Sequence, residues 1–349
     1  MKIGVFISSG LGNALLLIPL LKKLRERGDS LHGFITSQYP CEGLFDQAGL
    51  FEEIVSVSGN TDKMKQALLG NNRLDELYID WFGSTRKNIL FANSIARKII
   101  TNKIPEKLPV FLRTPILFRE PAEGIHEAVQ NLRLLEPDFE AGSLKESDMH
   151  LPYPPGAKET VKKFHLPTPY TVVQIGSADN EAPYKNWSVE QWKKFLQEQA
   201  EQTNRTFVLL GSSAEMADAA TISDGHLNLI SVAGKTTIPE VMDIISQSDA
   251  YVGLDSGLMH QAVVYNKPTF TIWGGSDYRL YGYHDLNPQR HYMVRQQLDC
   301  WPCNSWISPN TSRVNDPNKC PDYNCIRSIS VAEVAAAYQS FSFAQSSSA

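Results

Sequence analysis

Within six residues the segment Asp255-Ser256-Gly257-Leu258-Met259-His260 brings together a carboxylate, a hydroxyl, a glycine and an imidazole. An apolar run over 250–254 precedes it and a helix-like run over 258–266 follows. A second apolar run, 268–273, ends in Gly274-Gly275-Ser276-Asp277. The pattern predicts two neighbouring strands that present small and acidic residues at one sheet edge. Polar groups at the carboxyl ends of such strands line the crevice where open α/β sheets bind ligands. The unpaired backbone N–H groups of the following helix suit an anion such as a pyrophosphate. The plainer alternative is that Asp255 or Ser256 is a helix N-cap and His260 a packing residue.

Five other groups carry chemistry. Lys185 lies in a loop after the strand expected at 171–175 and the small residues Gly176 and Ser177. From there it could stabilise the charge of a leaving phosphate, although most lysines are simply solvated. Glu215 closes Ser212-Ser213-Ala214-Glu215, which also reads as a capping box. Thr236 and Thr237 sit in a turn, and Ser8-Ser9-Gly10-Leu11-Gly12-Asn13 forms a glycine-containing loop after the first strand. That loop is neither a Walker loop nor a complete dinucleotide fingerprint. Cys300-x-x-Cys303 and Cys320-x₄-Cys325 would suit a structural zinc or iron; free thiols or a conditional disulfide are the alternatives. Four thiolates would leave no open position for a catalytic metal.

These residues need a framework of strands joined by helices. A strand at 3–7, a turn at 8–13, a helix at 14–27 with Pro19 as a kink, and a strand at 32–36 open the chain as a β-turn-α-β unit, which implies a parallel sheet. Strands are also expected at 54–58 and 76–81 and a helix at 126–135, whereas 103–119 fits no single element. The proline-rich stretch 151–156 reads as a linker. A second α/β series follows, with strands at 171–175, 206–210 and 228–232 and a helix at 238–246. Ser188 and Ser330 open capping boxes, the latter before a helix over 331–340 and a frayed polar end. The expected organisation is α/β, two Rossmann-like domains covering 1–152 and 157–329, with a terminal helix and tail over 330–349.

In order and spacing these segments resemble glycosyltransferase family 9, the group containing the lipopolysaccharide heptosyltransferases. The similarity rests on Asp255-Ser-Gly-x-x-His260, Gly274-Gly-Ser-Asp277, Lys185-Asn-Trp187, Gly211-x-x-x-Glu215 and Gly234-Lys-Thr-Thr-Ile238. It implies the GT-B arrangement of two such domains facing a cleft, with the acceptor on the first and the nucleotide sugar on the second. It further implies inverting transfer without a metal in the chemistry, with a heptose from an ADP donor and a lipopolysaccharide-type or other glycan acceptor as the model case. Donor-binding residues are then Gly176, Ser177, Lys185, Glu215, Thr236, Thr237, Asp255, Ser256, Gly257 and His260, with Glu215 at the nucleoside. Ser9, Gly10, Gly12 and Asn13 become the acceptor loop; Asn13, Lys185 and Asp255 are the catalytic candidates. One departure stands out. The heptosyltransferases place an Asp, the proposed general base, where this chain has Asn13, and an amide cannot take a proton at neutral pH.

Composition fits this frame. The 349 residues are 42% hydrophobic and 20% charged with a formal net charge of −5, so no general basic field would recruit nucleic acid. The apolar start is interrupted by Ser8-Ser9-Gly10 and Gly12-Asn13 and lacks a small-residue cleavage site, unlike a signal peptide. The expected location is the cytoplasm, at the inner face of the membrane where the acceptor is lipid-linked. Two other functions remain open on sequence alone, a non-catalytic nucleotide-sugar or glycan-binding relative and a sugar-nucleotide epimerase.

Overall fold

The computed structural model describes residues 1–7, 10–35, 42–57, 73–108, 112–177, 185–303, 320 and 322–346. The chain separates into two compact units, Met1–Met149 and His150–Ala349.

The first unit is built on six parallel strands: β1 (Lys2–Ile7), β2 (Ser30–Ile35), β3 (Glu53–Ser56), β4 (Glu76–Ile79), β5 (Ile99–Thr101) and β6 (Ile116–Phe118). Their order is β3-β2-β1-β4-β5-β6. The second unit repeats the plan with β7 (Tyr170–Gln174), β8 (Thr206–Leu210), β9 (Leu229–Ser231), β10 (Ala250–Leu254), β11 (Thr269–Trp273) and β12 (His291–Arg295). Its order, β12-β11-β10-β7-β8-β9, is the same doubly wound topology. Each sheet reverses direction once, between β1 and β4 in the first and between β7 and β10 in the second. The central strands are covered on both faces, which is why they read as continuous apolar runs rather than alternating ones.

Several local expectations change. Residues 14–27 are not one kinked helix: Leu11–Leu15 and Ile18–Glu26 are separate, and Pro19 lies in the first turn of the second, where its missing N–H costs nothing. Gly12 and Asn13 therefore belong to a helix, not to the preceding turn. The stretch 103–119 ends in the edge strand β6. The terminal helix runs to Ser346, beyond the expected fraying point. Tyr338 and Phe341 bury against Phe195 and Phe270, so the helix is part of the second unit's core.

Candidate functional site

At the second unit's switch point, the loop after β7 lies beside the loop after β10. Asp255 follows β10 and is only 4% exposed. Its carboxylate meets the Lys185 ammonium at 2.7 Å and accepts a short hydrogen bond from the Ser276 hydroxyl. The Asp255 carbonyl also accepts from Lys185 Nζ at 3.4 Å and from Ser177 Oγ at 3.3 Å. Burial pushes the Asp255 carboxyl up, but Lys185, then Ser276 and His260, hold it below the usual carboxylate range.

The N-cap alternative for this turn does not hold. Ser256 occupies the N-cap position of the helix Gly257–Val264, but its side chain makes no capping bond. It donates instead to Gln174 Oε1 and lies 3.2 Å from the Tyr251 hydroxyl. Tyr251 in turn donates to the Leu254 carbonyl at 3.1 Å. This contact requires Gly253, where a Cβ would stand 2.4 Å from the Tyr251 oxygen. The helix thus begins without a side-chain cap, beside an ion pair. His260, one turn in, is 4% exposed and lies 2.7 Å from the Tyr283 hydroxyl. Burial lowers its pKa to about 4 against an opposing pull from Asp255, so the ring is neutral near pH 7.

The structure brings Gly176, Ser177, Lys185, Asp255, Ser256, Gly257 and His260 to one sheet edge. Glu215 is close by: a Cβ on Gly176 would lie 2.7 Å from Glu215 Cγ. Glu215 also closes its capping box, accepting from Ser212 N and Oγ, each at 2.7 Å. A pocket of about 430 Å³ is lined in part by Ile175, Gly176, Asn186, Trp187, Glu215 and Arg327. Its wall includes neither Lys185 nor Asp255.

Other predicted residues have structural work. Thr237 caps the helix Ile238–Gln247 in a capping box with Glu240, a role the sequence reading did not assign. Thr236 keeps a buried Oγ1 with no hydrogen-bond partner among the described residues. Asp277 is fully buried, caps the helix Tyr278–Tyr281 and grips Arg279 at 2.5 Å. Trp187 belongs to the core, its Nε1 donating to the Ile329 carbonyl at 2.9 Å. In the first unit, Gly10, Gly12 and Asn13 follow β1, and Ser9 lies outside the described residues. Gln174 and Tyr283 were missed by sequence reasoning, and Ser276 was read only as part of its turn. Gln174 and Ser276 had the signal of position at or just beyond a strand end; Tyr283, past the helix Tyr278–Tyr281, had none.

The cysteine segment supports the site from behind. Cys303 N donates to the Gly275 carbonyl at 2.7 Å, and Trp273 and Trp301 both donate to the Ser276 carbonyl, at 2.7 and 3.2 Å. These bonds hold the residue whose hydroxyl reaches Asp255. Burial, then Cys303, Cys320 and Cys300, pushes the Cys325 thiol up to about 12. The four thiols thus share a neighbourhood. Among the described residues, however, no group of three or more His, Cys, Asp or Glu is arranged to hold a metal ion, so the expected tetrathiolate site is not supported.

Two doubly wound units of matching topology make an α/β plan that matches solved structures of the GT-B type. Escherichia coli ADP-heptose lipopolysaccharide heptosyltransferase II aligns over 100% of both chains with a TM-score of 0.75 at 17% identity. A family 9 glycosyltransferase from Veillonella parvula aligns over 97% of this chain and 96% of its own, with a TM-score of 0.74 at 17% identity. The iron-containing dodecameric glycosyltransferase TibC from enterotoxigenic E. coli covers 98% of this chain and 78% of its own, with a TM-score of 0.58 at 14% identity. No curated protein sequence matches the chain. The model of glycosyltransferase family 9 (heptosyltransferase) matches residues 121–311, and the chain belongs to that family.

Proposed function

We propose that the protein is an inverting glycosyltransferase that moves a sugar, with heptose from ADP-heptose as the model donor, to a lipopolysaccharide-type or other glycan acceptor. The observation that carries this is the Lys185–Asp255 pair beside a helix start that lacks a side-chain cap. A diphosphate at this edge would meet the Lys185 ammonium and the free N–H groups of Gly257–Val264. Asp255 fixes Lys185 in place, and Ser276 fixes Asp255.

The acceptor oxygen attacks the anomeric carbon from the face opposite the diphosphate, and the sugar–oxygen bond to phosphate breaks. The electron pair leaves with the diphosphate, where Lys185 and the helix N–H groups stabilise the developing charge. Neutral His260 adds a hydrogen-bonding ring without adding charge. The pocket beside Gly176 and Glu215 suits the nucleoside end of the donor, away from the reacting centre. The first unit, by this reading, binds the acceptor through its own sheet edge, including Gly10, Gly12 and Asn13.

Among the described residues no helix is long and apolar enough to cross a membrane. We place the reaction in the cytoplasm, at the membrane face where the acceptor is lipid-linked. The chemistry above uses no metal. A structural iron or zinc, if bound, would be held by Cys300, Cys303, Cys320 and Cys325; the iron of TibC is a precedent within the fold. Elemental analysis of the purified protein, repeated after Cys325→Ser, tests that point.

The primary test is calorimetric binding of ADP, GDP, UDP and CMP and of their sugar conjugates to the wild type and to Asp255→Ala. Selective binding of one nucleotide family that is lost in the variant supports the reading. A folded wild type that binds none of them overturns it.

A further inference from the structure

The carboxyl edge of the second sheet carries another charged centre, two strands away from Asp255. Arg295 ends β12, in register with Trp273 at the end of β11. Neighbouring strands lie about 4.8 Å apart, so the Arg295 backbone stands roughly 10 Å along the edge from the end of β10. Tyr278 opens the short helix Tyr278–Tyr281 beyond β11, and Trp301 follows β12. The two rings stack with centroids 5.4 Å apart and planes inclined by 22°. The Arg295 guanidinium lies over both, 4.9 Å from the Tyr278 centroid and 5.0 Å from that of Trp301. Arg279 approaches the Trp301 ring at 5.7 Å. Tyr278, Arg295 and Trp301 are half-buried, and Arg279 is exposed.

The two arginines differ in their partners. Arg279 is neutralised by the fully buried Asp277, with Nε and Nη2 on its two oxygens at 2.9 and 2.5 Å. Arg295 meets the two rings and, among the described residues, no carboxylate. A ring face holds a guanidinium by its plane and uses none of its N–H groups. Stacking therefore fixes the fork and leaves its donors for an anion, and the shape of the fork matches a carboxylate or a phosphate. Trp301 is fixed in turn, because its indole N–H donates to the Ser276 carbonyl at 3.2 Å. The half-buried rings add apolar surface suited to the C–H face of a sugar, and Tyr278 brings a phenolic hydroxyl. An uncharged glycan would leave the fork unmatched, and a bare anion would leave the rings unused. A charged sugar uses both.

We infer that Arg295, with Tyr278 and Trp301, binds a negatively charged sugar of the acceptor glycan, one that carries a carboxylate or a phosphate. This rests on the glycosyltransferase reading above. The donor diphosphate already has Lys185 and the helix start at Gly257, so a second cationic centre on the same edge serves a second anion. The contact lies wholly within the second unit. Arg295 selects the acceptor and takes no part in making or breaking bonds.

The test follows the tryptophan indole resonances of the ¹⁵N-labelled full-length protein, that of Trp301 being assigned by Trp301→Phe. The probes are methyl glucuronide, glucose 6-phosphate, methyl glucoside and inorganic phosphate. Both charged sugars should shift the Trp301 signal to saturation, and the tighter of the two tells carboxylate from phosphate. The glucoside should leave the signal in place, and phosphate should bind about tenfold more weakly or worse. Arg295→Gln should weaken the charged sugars by about tenfold or more and leave ADP affinity within about twofold. Arg295→Lys, which keeps the charge but not the fork, should fall between and covers a fold failure of the glutamine variant. Three results overturn the inference and leave the donor reading intact: no binding of either charged sugar, equal binding by wild type and Arg295→Gln, or phosphate binding as tight as that of the sugars. A tenfold loss of ADP affinity in Arg295→Gln also overturns it, by making the centre part of the donor site. A wild type that binds the charged sugars but no nucleotide overturns the transferase reading and leaves the sugar site standing.

Discussion

Replacing Asp255 by Asn is the sharpest perturbation of the second unit. It keeps the size of the side chain and the hydrogen bond from Ser276, and removes only the charge. The Lys185 ammonium, whose side chain is 12% exposed, then loses a partner at 2.7 Å in a nearly dry setting. At an effective dielectric of about 20, two charges about 4 Å apart attract by about 4 kcal/mol. Removing one member of a buried pair costs roughly 3–5 kcal/mol in other proteins. We therefore expect Asp255→Asn to destabilise the second unit by about 3 kcal/mol or more. Lys185→Met should cost somewhat less, because Asp255 keeps the Ser276 donor. The double variant should be less destabilised than the sum of the two by about 2 kcal/mol or more, since neither charge is left stranded. Denaturant unfolding of the four proteins, followed by near-ultraviolet circular dichroism without nucleotide, measures the cycle. Because Asp255 is held below its usual pKa, the pair's contribution is present above the unfolded value and fades as pH falls below about 4. Single variants within 1 kcal/mol of wild type, or strict additivity, would refute the view that this pair is a buried, mutually dependent unit.

Three other outcomes follow from the site. His260, lowered to about 4, binds fewer protons folded than unfolded, so stability should fall as pH drops from 6.5 towards 4, by at most about 3 kcal/mol; His260→Gln should flatten that slope in a pH series of unfolding midpoints. Gly176→Ala would put a methyl 2.7 Å from Glu215 Cγ and should cost about 1–3 kcal/mol and weaken nucleotide binding, read by calorimetry. Thr237→Ala should lose about 1 kcal/mol of stability through its capping box and leave nucleotide affinity within twofold; a tenfold loss of affinity would restore Thr237 as a donor contact.

Some features of the chain were fixed locally. Apolar runs, bounded by glycine and polar turns, marked the central strands of both sheets because buried parallel strands need no polar alternation, whereas β5, β6 and β12 were not read from the sequence. The capping boxes at Ser188, Ser212 and Ser330 are satisfied by groups three residues apart, so short-range sequence suffices to place them. The order of Lys185, Glu215, Asp255 and His260 along the chain was enough to indicate the family. Which of two roles a polar residue takes was not local. Asp255 reads as a cap by sequence, and Thr237 reads only as a turn residue beside the nucleotide. Thr237 is a cap because Glu240 lies three residues on; Asp255 turns away because Lys185, seventy positions earlier, and Ser276 reach it across neighbouring strands. Strand order and loop packing decide such long-range pairs, and it is their burial that turns ordinary side chains into a charged pair at the second unit's switch point.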